Sequence, residues 1–169
     1  MCIRDRDYFA RLNYIMSKGE FKADILVIHP IESAWCLYRP TDTGEVDKLN
    51  QSFVNLIEEL CKLHRDYDLA DEKLLKKYGR IDKDLIKVGK MSYKIVIIPP
   101  LITLQKKTFS LLKEFLANEG KIIAIKPLAY LMDGRDAKEE LDSFWQKTMV
   151  ISQEKEMLEN TLNQELERE

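Results

Sequence analysis

The sequence predicts an α/β fold, a three-layer sandwich with a mainly parallel sheet. Two observations lead to this prediction. Short runs rich in β-branched residues, such as 25–28 and 94–98, do not alternate with polar residues, which is typical of strands covered on both faces. Segments with apolar residues at helical spacing separate these runs, so consecutive strands need right-handed crossover connections and lie parallel.

The first half of the predicted fold begins with a helix. Apolar residues at helical spacing predict a short amphipathic helix over 7–18. The run 23–30 predicts a buried strand that ends at its proline, and 31–45 predicts a loop. A strong apolar stripe predicts a helix over 47–64, with Asp47 as its N-cap.

The middle of the chain predicts shorter elements. We expect a strand over 66–69, followed by a helix over 72–78 that Gly79 ends. The segment 84–88 is expected to be a short edge strand. The segment 94–98 is expected to be a central buried strand, because it is wholly apolar apart from its first residue and ends in two prolines.

The last third of the chain continues the same alternation. Thr103 is expected to cap a helix over 104–118, after which Gly120 supplies a residue with positive φ. The last helix is so charged that we expect it to be mostly solvated or to lack its partner. The remaining expected elements are a buried strand over 121–125, a turn over 133–135, and helices over 137–147 and 152–168.

Composition excludes several classes of protein. The chain has 169 residues, of which 45% are hydrophobic and 33% charged, and its formal net charge is −2. This balance suits one domain and gives no reason to expect a nucleic-acid partner. No apolar run approaches the roughly 20 residues that span a bilayer, so we expect no membrane partner. The three cysteines have no CxxC spacing, so neither a disulfide framework nor a zinc site is expected.

The strand ends carry little catalytic machinery. The loop after the first strand has neither G-x-G-x-x-G nor G-K-[ST], so we expect no nucleotide and no cofactor. The turn after 94–98 reads PPLIT, from Pro99 to Thr103, without serine, cysteine or glycine. A nucleophile elbow needs such residues, and the two prolines lack the amide hydrogens that an oxyanion hole uses. We therefore predict no catalytic residue in this chain.

The richest polar cluster surrounds the second predicted strand and consists of His64, Asp66, Asp68, Asp71 and Glu72. Paired carboxylates can serve as acid and base in glycoside hydrolysis, or bind a hard cation. Acidic residues at a strand end are more often solvated or cap the next helix, and Asp71 suits an N-cap. A structural role, a contact with another domain or a sugar, and a metal or catalytic site all stay open.

A second candidate surface lies in the segment 31–45, with Glu32, Trp35, Tyr38 and Arg39. Aromatic side chains in a loop can stack on a sugar ring or on another domain. The competing interpretation is a loop folded over its own domain.

A cysteine and a histidine form the third candidate. Cys61 and His64 are three residues apart on the predicted helix, close enough for a thiolate–imidazole pair. Because Cys61 falls near the apolar stripe, packing in the core is the competing interpretation.

The order of several sequence blocks resembles that of a known family. The pattern R-x-x-Y-x-x-S-x-G is followed by D-x-x-V-x-x-P-x-x-S-x-W, then by D-Y-D-x-x-D-E over 66–72 and Y-x-x-x-I-x-P over 93–99. From about residue 7 to 135, this order resembles the middle region of bacterial α-L-rhamnosidase-type glycoside hydrolases, family 106 and its relatives. The residues matching the first two patterns are Arg11, Tyr14, Ser17 and Gly19, then Asp24, Val27, Pro30, Ser33 and Trp35.

The resemblance implies a flavodoxin-like or class I glutamine amidotransferase-like fold, of the kind also seen in β-galactosidase trimerisation domains. It implies a non-catalytic domain beside a catalytic barrel, within an enzyme that degrades carbohydrate. No catalytic residue is carried over, because no matching catalytic motif is present. The sugar specificity of the parent protein stays open, and so do a homo-oligomer and the compartment, whether periplasmic, extracellular or cytoplasmic.

The expected domain organisation follows from this resemblance and from the chain ends. Residues 1–6 (MCIRDR) lack the apolar core of a signal peptide and resemble a translated sequencing adapter, so we expect a non-native leader. We expect 7–20 to be a connecting helix from a missing upstream barrel, 21–150 to be the α/β domain, and 151–169 to be a truncated, charged helical tail.

We expect this fragment alone to be inactive and to have a structural role within a glycoside hydrolase. Its expected partners are other domains of the same polypeptide and, through the parent enzyme, a carbohydrate substrate. The alternatives are a stand-alone cysteine-dependent hydrolase or amidotransferase-like domain, and a small sugar- or ion-binding module. The residues expected to make interdomain or sugar contacts are Glu32, Ser33, Trp35, Asp66, Asp68 and Asp71.

Overall fold

The protein is organised around a five-stranded parallel sheet. The computed structural model describes residues 3–19 and 21–166 of the chain. In chain order its elements are α1 (Ile3–Met16), β1 (Ile25–Ile28), α2 (Ile31–Leu37), α3 (Gly44–Lys62), β2 (Tyr67–Ala70), α4 (Glu72–Tyr78), β3 (Gly79–Asp82), β4 (Leu85–Val88), β5 (Met91–Tyr93), β6 (Ile95–Ile98), β7 (Thr103–Leu104), α5 (Lys106–Ala117), β8 (Lys121–Ile125), β9 (Leu131–Met132), β10 (Arg135–Asp136), α6 (Lys138–Trp145), β11 (Met149–Ile151) and α7 (Lys155–Glu165).

The strand order across the central sheet is β2-β1-β6-β8-β11, and every neighbouring pair is parallel. If only these five strands are numbered, from 1 to 5 in chain order, their order across the sheet is 2-1-3-4-5, which is the strand order of flavodoxin-like folds. Helices cover both faces of the sheet, so the predicted three-layer α/β sandwich is confirmed. The predicted central strand is also confirmed, since β6 lies in the middle and all its side chains are buried.

The buried strands send alternate side chains into two separate cores. Leu26 and Ile28 of β1 pack in the core that α4, α5 and α6 cover. Ile25 and Val27 of the same strand pack in the core that α3 and α7 cover. Because water reaches neither face, an unbroken apolar run is favoured over an alternating one. Each fully buried side chain of this kind contributes about 1.5–3 kcal/mol to the free energy of folding.

The segment 31–45 is not a loop throughout, because its first half forms α2. This helix begins directly after Pro30 and buries the side chain of Ser33. A helix of seven residues is too short to be stable in isolation, so its packing against α3 and β7 decides its formation. Local sequence signals therefore do not reveal it.

The helix predicted over 47–64 begins earlier, at Gly44, with Thr43 at the N-cap position. Asp47 is not the cap but lies in the first turn, where its Oδ2 accepts a hydrogen bond of 2.9 Å from Thr43 Oγ1. The amide of Gly44 donates to Asp42 Oδ1 at 3.0 Å. Polar side chains before the apolar stripe thus close the first turn of α3, and Asp47 adds favourable charge there.

The start of α5 also differs from the prediction. Gln105 occupies the N-cap position, and the first helical residue is Lys106. Thr103 does not cap the helix; it is buried in β7, where it pairs with Leu131 of β9. A two-residue strand carries no periodic signal, so only the tertiary pairing reveals it.

The turn after α5 differs from the prediction in the residue that adopts the positive φ. Glu119, and not Gly120, adopts the positive φ, at 64°. Gly120 is required by packing instead, because a Cβ at this position would lie 2.3 Å from the ring of Phe115. That ring is fully buried and has no room to move aside.

Two small sheets lie outside the central one. β3, β4 and β5 form an antiparallel sheet with β4 in its middle, so the expected edge strand over 84–88 is central in a separate sheet. β7, β9 and β10 form the other sheet. Its hairpin turns at Asp133 and Gly134, both with positive φ, which agrees with the predicted turn.

The C-terminal segment is packed more closely than its charge suggests. β11 spans the boundary expected between residues 150 and 151, and it pairs with β8. Leu158 and Leu162 of α7 are buried in the core with Leu56 and Leu60 of α3. Most of the other side chains of this helix are exposed, as expected, while its leucines share one face that packs on α3. The end of the predicted helix, including Arg168, lies outside the described residues, as do residues 1 and 2 of the expected leader.

α1 contrasts with α7, since none of its described side chains is buried. Its apolar side chains face outward, with Tyr8, Ile15 and Met16 each more than half exposed. Within residues 3–19 and 21–166, no helix has both the length and the apolar character needed to cross a membrane.

We predict that Gly120→Ala destabilises the fold by about 1–3 kcal/mol, because the added methyl group overlaps the buried ring of Phe115. Urea unfolding followed by circular dichroism measures the change. Gly19→Ala is the matched control, because a Cβ there meets no atom within 4 Å; its effect should stay within about 0.5 kcal/mol. Equal unfolding midpoints for the two variants would contradict the packing role of Gly120.

Candidate functional site

The topological switch point of the sheet is the candidate ligand-binding site. β1 and β6 are neighbours, and the chain leaves them toward opposite sides of the sheet, to β2 and to β8. Open α/β sheets bind their ligands in the crevice beyond the carboxyl ends of two such strands. In this protein α2 follows β1 and β7 follows β6, so these two elements form the walls of the crevice.

A serine hydroxyl joins the two walls. Ser33 of α2 is 1% exposed, and its Oγ accepts hydrogen bonds from the amides of Ile102 at 3.0 Å and Thr103 at 3.2 Å. The same hydroxyl lies 3.4 Å from the carbonyl oxygen of Thr103, to which it donates. The amide hydrogens that follow the central strand are thus already used within the protein.

The turn after β6 has no nucleophile, as its sequence already established. Pro99, Pro100 and Leu101 are all buried. Neither proline has an amide hydrogen. The amide of Leu101 donates to the carbonyl oxygen of Pro127, and the two amides after it bond to Ser33. The crevice therefore offers no free backbone donors for an oxyanion at the position where this fold class places a nucleophile elbow.

Carboxylates and an amide surround the start of α5. Glu72 Oε2 accepts a hydrogen bond of 2.8 Å from the backbone amide of Gln105. The side chain of Gln105 in turn donates to Glu32 Oε1 at 2.7 Å. Asp133 Oδ1 accepts from the amide of Lys106 at 3.1 Å. We call Glu32, Glu72 and Asp133 the carboxylate cluster.

Glu72 is the buried member of this cluster, at 2% exposure. Burial raises the pKa of its carboxyl group, and the nearby charges of Glu32 and Asp133 raise it further. The amide of Gln105 and the hydroxyl of Thr108 act in the opposite direction. Thr108 Oγ1 is itself buried and has no partner at regular hydrogen-bond geometry among the described residues.

A half-open cavity of about 300 Å³ remains in the crevice beside the cluster. Among the described residues no lysine or arginine lines it, so a phosphate would meet carboxylates instead of cationic groups. The lining residues are Glu32, Cys36, Thr103, Leu104, Gln105, Asp133 and Gly134.

The residues predicted to make contacts do not form one site. Glu32 and Ser33 meet in the crevice, as described above. Trp35 of α2 is 56% exposed, and Lys73 Nζ lies 4.4 Å from the centroid of its ring. Asp71 caps α4 by accepting from the amides of Lys73 at 2.7 Å and Leu74 at 3.2 Å, so the predicted N-cap is confirmed.

The other two predicted residues lie away from the crevice. Asp68 Oδ2 accepts a hydrogen bond of 2.8 Å from Tyr93 Oη, and burial together with this bond raises the pKa of Tyr93. Asp66 precedes β2, at the amino end of the sheet, in a separate cavity of about 520 Å³ that His64 and Arg65 also line. The acidic stretch is therefore divided between two ends of the molecule.

The sequence signals missed two residues of the crevice, Gln105 and Asp133, and did not distinguish Glu72 from its acidic neighbours. Glu72 lies just beyond the carboxyl end of β2, a position where open α/β sheets place ligand-binding side chains. Gln105 and Asp133 lie near turns in the sequence, and only the pairing of β7 with β9 brings them together.

Cys61 and His64 do not form a pair. Cys61 is exposed, contrary to the expectation of core packing, and its Sγ lies 3.7 Å from Tyr67 Oη. His64 is exposed and adopts a positive φ of 53° just after α3. Within the described part of the chain, no hydrogen bond joins the thiol to the imidazole.

Comparison with known proteins gives no identity for this chain. No family model, no curated protein and no solved structure matches it. Across the described residues, no group of three or more His, Cys, Asp or Glu side chains is placed to hold a metal ion. The likeness to α-L-rhamnosidase-type enzymes therefore stays a prediction.

We predict that Ser33→Ala lowers the free energy of unfolding by about 1–3 kcal/mol, because it leaves the part-buried amide of Ile102 and the buried amide of Thr103 without an acceptor. Chemical denaturation measures the loss. Ser110→Ala removes an exposed hydroxyl that bonds only within its own helix, and it should change stability by less than about 0.5 kcal/mol. An equally small effect at Ser33 would show that its hydroxyl does not hold the two walls together.

We also predict that Cys61 reacts with iodoacetamide about as fast as the exposed Cys36, because no imidazole stabilises its thiolate. Timed alkylation followed by peptide mass spectrometry measures both rates in one sample. Alkylation of Cys61 at neutral pH that is far faster than that of Cys36 would favour the cysteine-dependent hydrolase instead.

Proposed function

We propose that this chain is a non-catalytic, structural α/β domain of a multidomain glycoside hydrolase of the α-L-rhamnosidase type. The observation that carries the non-catalytic part is the bonding of Ser33 to the amides of Ile102 and Thr103. This bonding lies at the position where a catalytic member of this fold class would present a nucleophile and free backbone donors. In this protein the polar groups at that position join elements of the fold instead.

The residues that carry the family resemblance support the same role, because several of them have structural partners. Ser33 joins the crevice walls, and Asp68 bonds to Tyr93 across two of the matching blocks. Asp24 forms an ion pair of 3.3 Å with Lys94, next to the start of the central strands. Residues needed for folding explain a shared pattern without any shared catalytic step.

Exposed apolar side chains provide contacts for other domains. Trp35 presents its ring at the crevice end of the sheet, and α1 exposes Tyr8, Ile15 and Met16. Apolar groups gathered on one helix are commonly covered by a partner surface. We propose that other domains of the same polypeptide supply that surface, with the carbohydrate substrate bound by the parent enzyme.

The first test is an assay of the purified chain with an aryl α-L-rhamnoside and, separately, with glutamine. We expect no turnover of either compound, because among the described residues the turn after β6 has neither a nucleophile nor amides free to stabilise an oxyanion. An active α-L-rhamnosidase run in parallel validates the assay. Turnover that survives re-purification would contradict the non-catalytic role.

The second test concerns the parent protein and is made on the gene. The upstream reading frame should encode a barrel with a pair of carboxylates at the ends of its strands. A continuous upstream frame that encodes no such barrel would contradict the glycoside hydrolase part and leave the non-catalytic part intact.

A further inference from the structure

We propose that protonation of Glu72 controls how firmly α4 is held against the start of α5. We call the contact of Glu72 with Gln105 and Thr108 the α4–α5 junction: a neutral carboxyl closes it, and ionisation loosens it. Every group involved belongs to the described chain, so this property is independent of any parent protein.

The geometry of the junction favours a neutral carboxyl. Glu72 is 2% exposed, and its Oε2 already accepts from the amide of Gln105 at 2.8 Å. Thr108 Oγ1 lies beside the carboxyl, buried and without a partner at regular geometry. A neutral carboxyl keeps the contact with Gln105, because one of its oxygens still accepts from that amide. Protonation therefore removes the cost of burying a charge without breaking this contact.

The surrounding charge disfavours the ionised form. Glu32 faces Glu72 from α2, and Asp133 faces it from the turn between β9 and β10. α5 contributes only the amide of Gln105 and the hydroxyl of Thr108, and no cationic group acts on the carboxyl among the described residues. Burial and these two carboxylates raise the pKa of Glu72, which two hydrogen-bond donors only partly oppose.

The sign of the pH effect follows from this raised pKa. A carboxyl exposed by opening releases its proton near the ordinary value of 4.5, whereas the closed junction holds the proton to higher pH. Between those two values the open state binds fewer protons, so the closed state loses stability as the pH rises through that window. The full stabilisation is present below the ordinary value and is lost above the raised one.

Loosening of the α4–α5 junction also weakens contacts between the walls of the crevice. Gln105 donates through its side chain to Glu32 on α2 at 2.7 Å, and the next residue, Lys106, is bonded to Asp133. A movement of the first turn of α5 therefore disturbs both neighbouring contacts. The crevice at the switch point is expected to open along with the junction.

Hydrogen exchange of the Gln105 amide in the full chain, followed by NMR between about pH 4 and pH 8, tests this inference. After correction for intrinsic exchange, protection should fall up to about tenfold for each pH unit across the Glu72 transition. Glu72→Gln should make the protection independent of pH over the same range. Glu114→Gln, an exposed carboxyl on α5, is the matched control and should keep the original profile.

A titration of the unmodified chain makes the test independent of how the variants fold. The side-chain carboxyl carbon of Glu72, observed by NMR, should titrate above the ordinary glutamate range. Glu32→Gln and Asp133→Asn should each move that transition to lower pH, because each removes a repelling charge. A transition at or below the ordinary range, or the same pH-dependent loss of protection with and without Glu72, would overturn the inference.

Discussion

The burial of β6 on both faces is the constraint on which the rest of the structure depends. Ile95 and Ile97 pack in one core, and Val96 and Ile98 pack in the other. A strand with no polar side chain must be covered from both sides, and a parallel neighbour on each edge satisfies its backbone. Crossover helices are then required on both faces, which produces the three layers and the 2-1-3-4-5 strand order.

Because the strands are buried on both faces, the backbone groups that still need hydrogen-bond partners lie at the carboxyl ends of the strands. There the chain must turn while still enclosed, so its amides need acceptors that water does not supply. Ser33 accepts from the amides of Ile102 and Thr103, and Glu72 accepts from the amide at the start of α5. Several polar groups around the crevice at the switch point are therefore used in internal hydrogen bonds.

The acidic stretch around β2 illustrates how neighbouring residues of one type acquire different roles. Asp66 stays at the amino end of the sheet, whereas Asp68 bonds to Tyr93 in the next block. Asp71 caps α4, and Glu72 enters the core one residue later. A strand advances about 3.3 Å per residue, so these few residues cross the sheet from one end to the other. Their shared charge therefore does not make them one site.

The sequence by itself determined the central strands, the Asp71 cap, the turn at Asp133 and the absence of a nucleophile after β6. Each of these depends on residues that are adjacent in the chain, through apolar runs, capping or turn chemistry. Only the tertiary structure decided the helix α2, the buried place of Thr103, the packing role of Gly120 and the burial of Glu72. Those features depend on contacts between segments far apart in sequence, whose free energy exceeds the weak local preferences of a few residues.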